Sequence, residues 1–368
     1  MFNPSRLTLA RQRRGWTKQH LAKELGVTSK AISKYEAQDD YSPSAENMEK
    51  LASVLNFPKE FFFGEDLESI TPETASFRSL RSMRAYQRDM ALSAGSLAIL
   101  LSEWIDNQFS LPEPNIPLFE PGIDPESAAI AVRLEWGLGD KGIRNIIHLL
   151  EAHGVRVFSL AVDASEVDAF SMWSNNKPFV FLNTGKSTER TRFDAAHELG
   201  HLILHRNTNH TKANQEMEKE ADRFASAFLM PETSILARTP KAVTIQKLVE
   251  LKKVWGVSVA ALNYRLHSLG LTSEWVSRSI FVELSRMGYR TKEPEPMKPE
   301  QSQVLAKVFA ALKEEGITRP VVARQLNISI DDLDALIFGL AITKVNTNRE
   351  AVSSRPTPPK EFKLHLVK

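Results

Sequence analysis

Apolar residues recur at helical spacing from the first turn of the chain. Between residues 5 and 64 they fall in short groups: Leu7 and Ala10; Leu21, Ala22 and Leu25; Ile32 and Tyr35; Leu51, Ala52 and Leu55. Gly15, Gly26, Pro43 and Pro58 punctuate these groups, and Thr17 and Thr28 stand where N-caps belong, so a compact run of short helices is predicted. Pro72 falls in a polar stretch that reads as a linker. From Phe77 to Phe109 the helical pattern returns, with Leu92, Leu97, Leu100, Leu101, Trp104 and Ile105 on one wide stripe. Pro112, Pro114, Pro117 and Pro121 then impose an extended segment, and residues 125–153 read as two more helices.

The texture changes at Val155–Leu160, Asp168–Trp173 and Pro178–Leu182, three short runs rich in β-branched and aromatic residues. Polar turns such as Ser174–Lys177 separate them, which predicts a small antiparallel sheet. A helix containing His197 follows, then a polar loop at 206–212 and a helix from about Gln215 to Leu229, stopped by Pro231. The remainder is mostly helical. A Pro- and Glu-rich linker at Thr291–Pro299 precedes a last helical cluster, and the basic tail after Thr343 reads as disordered. The fold class expected is mainly α with a small antiparallel β-sheet, an α+β chain.

Composition narrows the chemistry. With 368 residues, 42% apolar and 25% charged, the chain is that of an ordinary globular protein of two or three domains. It has no cysteine, so any metal must sit on His, Asp or Glu. No apolar run approaches the roughly 18 residues that span a membrane. The opening Met-Phe-Asn-Pro-Ser-Arg lacks the basic-then-apolar pattern of a secretion signal, so the cytoplasm is the expected compartment. The net charge of +2 conceals an uneven distribution: residues 1–34 hold Arg6, Arg11, Arg13, Arg14, Lys18, Lys23, Lys30 and Lys34 against Glu24 alone. Such a cluster is the usual electrostatic footprint for phosphate.

One short pattern occurs three times, at 24–32, 254–262 and 325–333: a helix end, a tight turn, a capping Ser or Thr and a second helix. Side chains decide what each copy does. In a helix-turn-helix the second helix enters the major groove with its first residues against base edges. The first copy starts its second helix at Thr28 and presents Ser29, Lys30, Ser33 and Lys34, short polar and long basic groups suited to a groove, with Lys18 placed for phosphate. The last copy presents Asp331, Asp332 and Asp334, which repel phosphate, and reads as scaffold or protein-contact surface. The middle copy presents Val259, Ala260 and Ala261 and reads as core. From Arg6 through Glu36 to Pro43-Ser the chain resembles the Cro/repressor-type (Xre) helix-turn-helix family, over roughly sixty residues. The resemblance implies a five-helix domain that recognises double-stranded DNA, in most members as a homodimer.

The helix at 192–205 contains His197-Glu198-Leu-Gly-His201. Four residues advance a helix by just over one turn, so both imidazoles share a face and suit one tetrahedral Zn²⁺, with Glu198 beside the metal as general base. Flanking Ala195, Ala196, Leu199, Leu202 and Leu204 point to a mostly buried helix, where unpaired histidines are costly. A catalytic zinc needs a third protein ligand. His205 is too far along the same helix, since an i to i+8 span is about 12 Å. The 215–229 helix is the expected source. Glu220 adjoins its stripe of Ala221, Phe224, Ala225 and Phe228, Glu218 is expected to point to water, and Glu216 is the fallback. Asp222 is placed to orient a ligand histidine.

Arg192-Phe193, His197–His201, His205, Glu220–Ala225 and Leu229–Pro231 resemble the ImmA/IrrE-type metallopeptidases, more loosely from about Phe77 to Leu269. Members often carry an N-terminal Xre-type domain. The resemblance implies a zinc-dependent endopeptidase that cuts a repressor, with His197, His201 and Glu220 at the metal positions and Glu198 as base. The expected organisation is a helix-turn-helix domain at 1–66, a connecting region at 67–124, the peptidase domain at 125–270, a helical unit at 271–342 and the tail. Two functions compete. One is a stress- or phage-linked regulatory peptidase acting on a repressor or antitoxin-like protein; the other is a regulator or antitoxin that uses a non-catalytic peptidase fold as a sensor or binding platform. A general housekeeping protease leaves the DNA-binding segment without a purpose.

Overall fold

A computed structural model of the chain describes residues 1–37, 41–70, 84–160, 169–206 and 214–341. The Pro72 linker, the start of the helical stretch at 77, most of the loop at 206–212 and the basic tail lie outside the described residues.

Four helices open the chain: α1 (Pro4–Arg13), α2 (Lys18–Leu25), α3 (Ser29–Tyr35) and α4 (Ala45–Leu55). The fifth helical element expected there is a single 3-10 turn at Lys59–Phe63. Thr17 and Thr28 do cap α2 and α3, their hydroxyls accepting from the amides of His20 and Ala31. Between them Gly26 sits at φ +74, a left-handed conformation that closes α2 and turns the chain into α3. Leu7, Leu21, Ile32, Leu51 and Leu55 meet in the shared core. A long helix, α5 (Ala85–Asp106), packs against α1.

The middle of the chain is built from α6 (Pro125–Glu135), α7 (Ile146–Ala152), strands β1 (Arg156–Ser159), β2 (Ala169–Ser174) and β3 (Lys177–Leu182), then α8 (Thr188–Leu204), α9 (Asn214–Leu229) and α10 (Glu232–Leu236). The expected small sheet is present, with mixed pairing. β2 and β3 form an antiparallel hairpin whose turn is Asn175 and Asn176, both at positive φ. β1 lies on the far side of β3 and runs parallel to it. The chain must therefore cross from β1 to the opposite edge before the hairpin, which local strand patterning does not reveal. Helix α8 lies across β2 and β3, and α9 packs on both α8 and α6.

The remaining helices are α11 (Ile245–Trp255), α12 (Val259–Ser268), α13 (Glu274–Arg286), α14 (Gln303–Glu314), α15 (Arg319–Gln325) and α16 (Ile330–Ile337). All three repeats of the sequence pattern form helix pairs, with Gly26, Gly256 and Asn327 left-handed at the turns. In the middle copy Val259 is buried as expected, whereas Ala260 and Ala261 are half-buried and line a cleft. The last copy makes a protein contact. Asp332, 1% exposed, lies 3.0 Å from Arg13 and 2.7 Å from Arg14, and Asp331 accepts from Asn56. Burial alone would raise the Asp332 carboxyl, but Arg14 and Arg13 outweigh it and hold it below its ordinary value. Removing one member of a buried ion pair leaves the other charge unpaired, at about 3–5 kcal/mol. Asp332→Ala is accordingly predicted to lower the urea midpoint of unfolding by a cost of that order, and an unchanged midpoint would show that the clasp between α1 and α16 does not form.

Candidate metal centre and nucleic-acid interface

Helix α8 begins at Ser187, whose hydroxyl caps it on the amide of Arg190, with Glu189 in the first turn. Its other side chains anchor it. Arg192, almost fully buried, donates to the carbonyls of Gly256, Ile143 and Trp255 and pairs with Glu300. Glu189 accepts from Lys252 at 2.8 Å and from the amide of Met297 at 3.0 Å. The helix is therefore fixed along its axis before any ligand is considered.

His197 and His201 then face each other, Nε2 to Nε2, at 3.0 Å. The third group of the cluster is Glu218. Its carboxylate oxygens lie 3.3 Å from the Nε2 of His197 and 3.5 Å from that of His201. Donor atoms about 2.0–2.1 Å from a tetrahedral zinc stand roughly 3.3–3.5 Å from one another; both Glu218 contacts match that spacing and the histidine pair, at 3.0 Å, needs to open by a few tenths of an ångström. Electrostatics agree. Burial disfavours charge on His197, but Asp222 and Glu218 outweigh it and push its pKa up to about 10. Burial likewise works against the Glu218 anion, yet the two histidines hold its carboxyl far below the usual carboxylate range. The cluster is built to hold positive charge.

This corrects the expectation for the 215–229 helix. Glu218 is 6% exposed rather than pointing to water, and Glu220 bonds to the Nε2 of His205 at 2.9 Å instead of reaching the pair. The reason is angular: at about 100° per residue, Glu218 and Glu220 lie on opposite flanks of the Ala221–Phe228 stripe, roughly 70° and 90° from its centre. The stripe therefore cannot choose between them. The choice falls to the packing of α9 on α8, which is close because residue 200 is glycine. A Cβ there would come within 3.1 Å of Phe224 and 3.3 Å of the Ala221 Cα. Glu216, the fallback, is exposed. Asp222 lies 2.9 Å from the Nδ1 of His197.

Glu198 is buried, and the hydroxyl of Ser171 on β2 donates to its Oε2 at 2.6 Å. Ser171 was invisible to sequence reasoning, being a lone serine 27 residues away in a strand. The cleft in front of the cluster encloses about 620 Å³ and is walled by Phe193, Asp194, Ala260, Tyr289 and Glu293 among others. Asp194, one turn before His197, was also missed; burial pushes its carboxyl up to about 6, and its Oδ2 has no hydrogen-bond partner among the described residues.

At the other end of the chain, α3 presents Ser29, Lys30 and Lys34 to solvent, with Ser33 half-exposed. The Lys34 ammonium sits 5.0 Å above the ring of Tyr41. Thr28 serves as the helix cap, and Lys18 lies 3.2 Å from Glu36 while remaining partly exposed. The basic cluster read from the sequence divides in two. Arg6, Arg11 and Arg13 are buried, Arg11 bonding to Glu36 at 2.5 Å and Arg6 donating to the carbonyl of Glu65; Arg14 joins Arg13 on Asp332. The charge open to a ligand is that of the lysines at 18, 23, 30 and 34.

Two family models match separate segments of the chain. The model of a helix-turn-helix domain matches residues 7–62, and that of the M78 peptidases, described as an IrrE N-terminal-like domain, matches residues 150–267. No curated protein matches the chain. The chain thus joins a segment that matches an Xre-type helix-turn-helix model to one that matches an IrrE N-terminal-like, peptidase-like model.

Proposed function

We propose that this protein is a DNA-binding regulatory zinc metallopeptidase that cleaves a repressor or antitoxin-like protein and so controls transcription. Acting on DNA puts it in the cytoplasm. In this proposal His197, His201 and Glu218 hold the zinc, Asp222 orients His197, and Glu198 is the general base. When bound, the ion supplies Lewis-acid polarisation of the scissile carbonyl and of the attacking water. Glu198 takes the proton of that water and returns it to the leaving amine, a role that contributes about 10²–10⁴ in rate. Ser171 holds the Glu198 carboxylate in place from β2. The cleft of about 620 Å³ beside α8 is where the substrate chain would lie.

The observation that carries the proposal is the state of Glu198. A cluster kept only as a structural metal site needs its ligands, not a buried carboxylate positioned beside them by a serine. Replacing Glu198 by Gln is expected to leave zinc content at one equivalent and to lower cleavage of the cognate substrate by about 10²–10⁴. Chelation of the wild type should abolish cleavage, with recovery on adding zinc back. Cleavage that persists in the Gln variant removes Glu198 from the mechanism.

A second reading, in which the peptidase fold acts as a non-catalytic sensor, draws support from the segment that follows α13. That stretch walls the cleft at Tyr289 and Glu293, binds α8 through Glu300 and Arg192, and continues to α16, whose Asp332 pairs with Arg13 of α1. It connects the cleft to the DNA-binding helices by direct contact. Full-length protein that binds its own promoter but contains no metal would favour this alternative.

For DNA binding, the proposal places α3 in the major groove with Ser29, Lys30 and Ser33 near base edges, and Lys18 and Lys34 toward phosphates, as a homodimer on a two-fold site. Neutralising one phosphate-binding lysine should flatten the dependence of log affinity on log salt by about 0.9. Lys34→Ala is therefore expected to weaken operator binding and reduce that slope by roughly one, whereas Lys34→Arg should preserve it. An Ala variant with unchanged affinity and slope would take α3 out of the groove.

A further inference from the structure

The residue expected as third ligand has another place in the centre. His201 lies between two nitrogen contacts: its Nε2 faces His197 at 3.0 Å, and its Nδ1 is 2.9 Å from the Nδ1 of His205. The Nε2 of His205 lies in turn 2.9 Å from the Oε2 of Glu220. His205 is nearly inaccessible and Glu220 is mostly so, their side chains being 4% and 19% exposed. A chain of three groups therefore leads from the face of the site to a carboxylate on α9.

Hydrogen-bond chemistry gives this chain a direction. A neutral imidazole carries one proton, and the nitrogen that binds a cation must be the bare one. With Nε2 of His201 turned to the ion, its proton sits on Nδ1, and the acceptor there among the described residues is Nδ1 of His205. That nitrogen must then be bare, so the proton of His205 sits on Nε2 and is donated to Glu220. Each assignment forces the next, and the carboxylate at the end can only accept. Asp222 does the same for His197 in a single step. The two histidines are thus oriented from the same helix by two different devices.

We propose that His205 and Glu220 are positioning residues that fix the tautomer and ring orientation of His201 and so raise the affinity of the centre for a divalent metal. The proposal rests on the assignment of His197, His201 and Glu218 as the metal centre, and concerns residues that assignment does not use. Partners of this kind, one shell behind the ligands, are worth about 10–100-fold in metal affinity. The carboxylate matters as an acceptor, so glutamine, which keeps an oxygen at that place, should largely substitute for it while alanine should not.

The test is zinc affinity, measured by competition with a chromophoric chelator on full-length wild type, Glu220→Ala and Glu220→Gln, together with long-range ¹H–¹⁵N correlation spectra of the zinc-loaded wild type. The expected results are a loss of about 10–100-fold for the alanine variant, recovery of most of it by glutamine, and a His205 ring protonated at Nε2 and bare at Nδ1. Alanine binding zinc as tightly as wild type, or a His205 proton on Nδ1, overturns the proposal. The tautomer is read on wild type and decides the matter even if the alanine variant does not fold. Wild type that takes up no zinc at all overturns the metal assignment itself, and this proposal with it; normal uptake with an indifferent Glu220 overturns this proposal alone.

Discussion

Two imidazole nitrogens on one buried helix face each other at 3.0 Å. One can satisfy the other only by carrying a proton on its Nε2, and with both nitrogens bare the pair is repulsive unless a cation sits between them. The surrounding structure answers that constraint. Gly200 lets α9 approach α8 closely enough for Glu218 to reach both nitrogens. Asp222 and the His205–Glu220 pair occupy the opposite ring nitrogens. Two carboxylates, Glu218 and Asp222, thus meet the two histidines and a third, Glu220, meets His205, which makes sense when a cation belongs between His197 and His201.

The same helix is the hub for the rest of the molecule. Glu189 and Arg192 use α8 as an anchor for Lys252, Met297 and Glu300, so the segment after α13 is pinned along it before forming α14–α16. At the far end Asp332 meets Arg13 and Arg14. This part of the chain is thus held by polar contacts at two places, on α8 beside the cleft and on the first helix of the helix-turn-helix domain. Buried ion pairs add little net stability but are sensitive to the loss of either partner, which suits a joint that must be specific rather than strong.

Much of this was legible in the sequence where the information is local. The His197–His201 spacing fixes a shared helical face, and Thr17, Gly26 and Thr28 carry their own capping and turn chemistry. The errors came from non-local packing. The wheel of α9 leaves Glu218 and Glu220 on either flank of the apolar stripe, and only its packing on α8 separates them. The arginines at 6, 11 and 13 read as a phosphate footprint because charge alone does not say which side of a helix is buried. The parallel pairing of β1 with β3 depends on a crossover that strand composition does not encode. By contrast, the last acidic helix pair was legible as scaffold or protein-contact surface, since three aspartates at the start of its second helix repel phosphate.

Whether His197, His201 and Glu218 hold a zinc ion can be read directly from an anomalous difference map of zinc-soaked crystals recorded at the zinc edge. One peak is predicted, bounded by the Nε2 atoms of His197 and His201 and the carboxylate of Glu218, with Glu220 turned away toward His205. A peak ligated by Glu220, or zinc-soaked crystals with no peak between the two histidines, would contradict it.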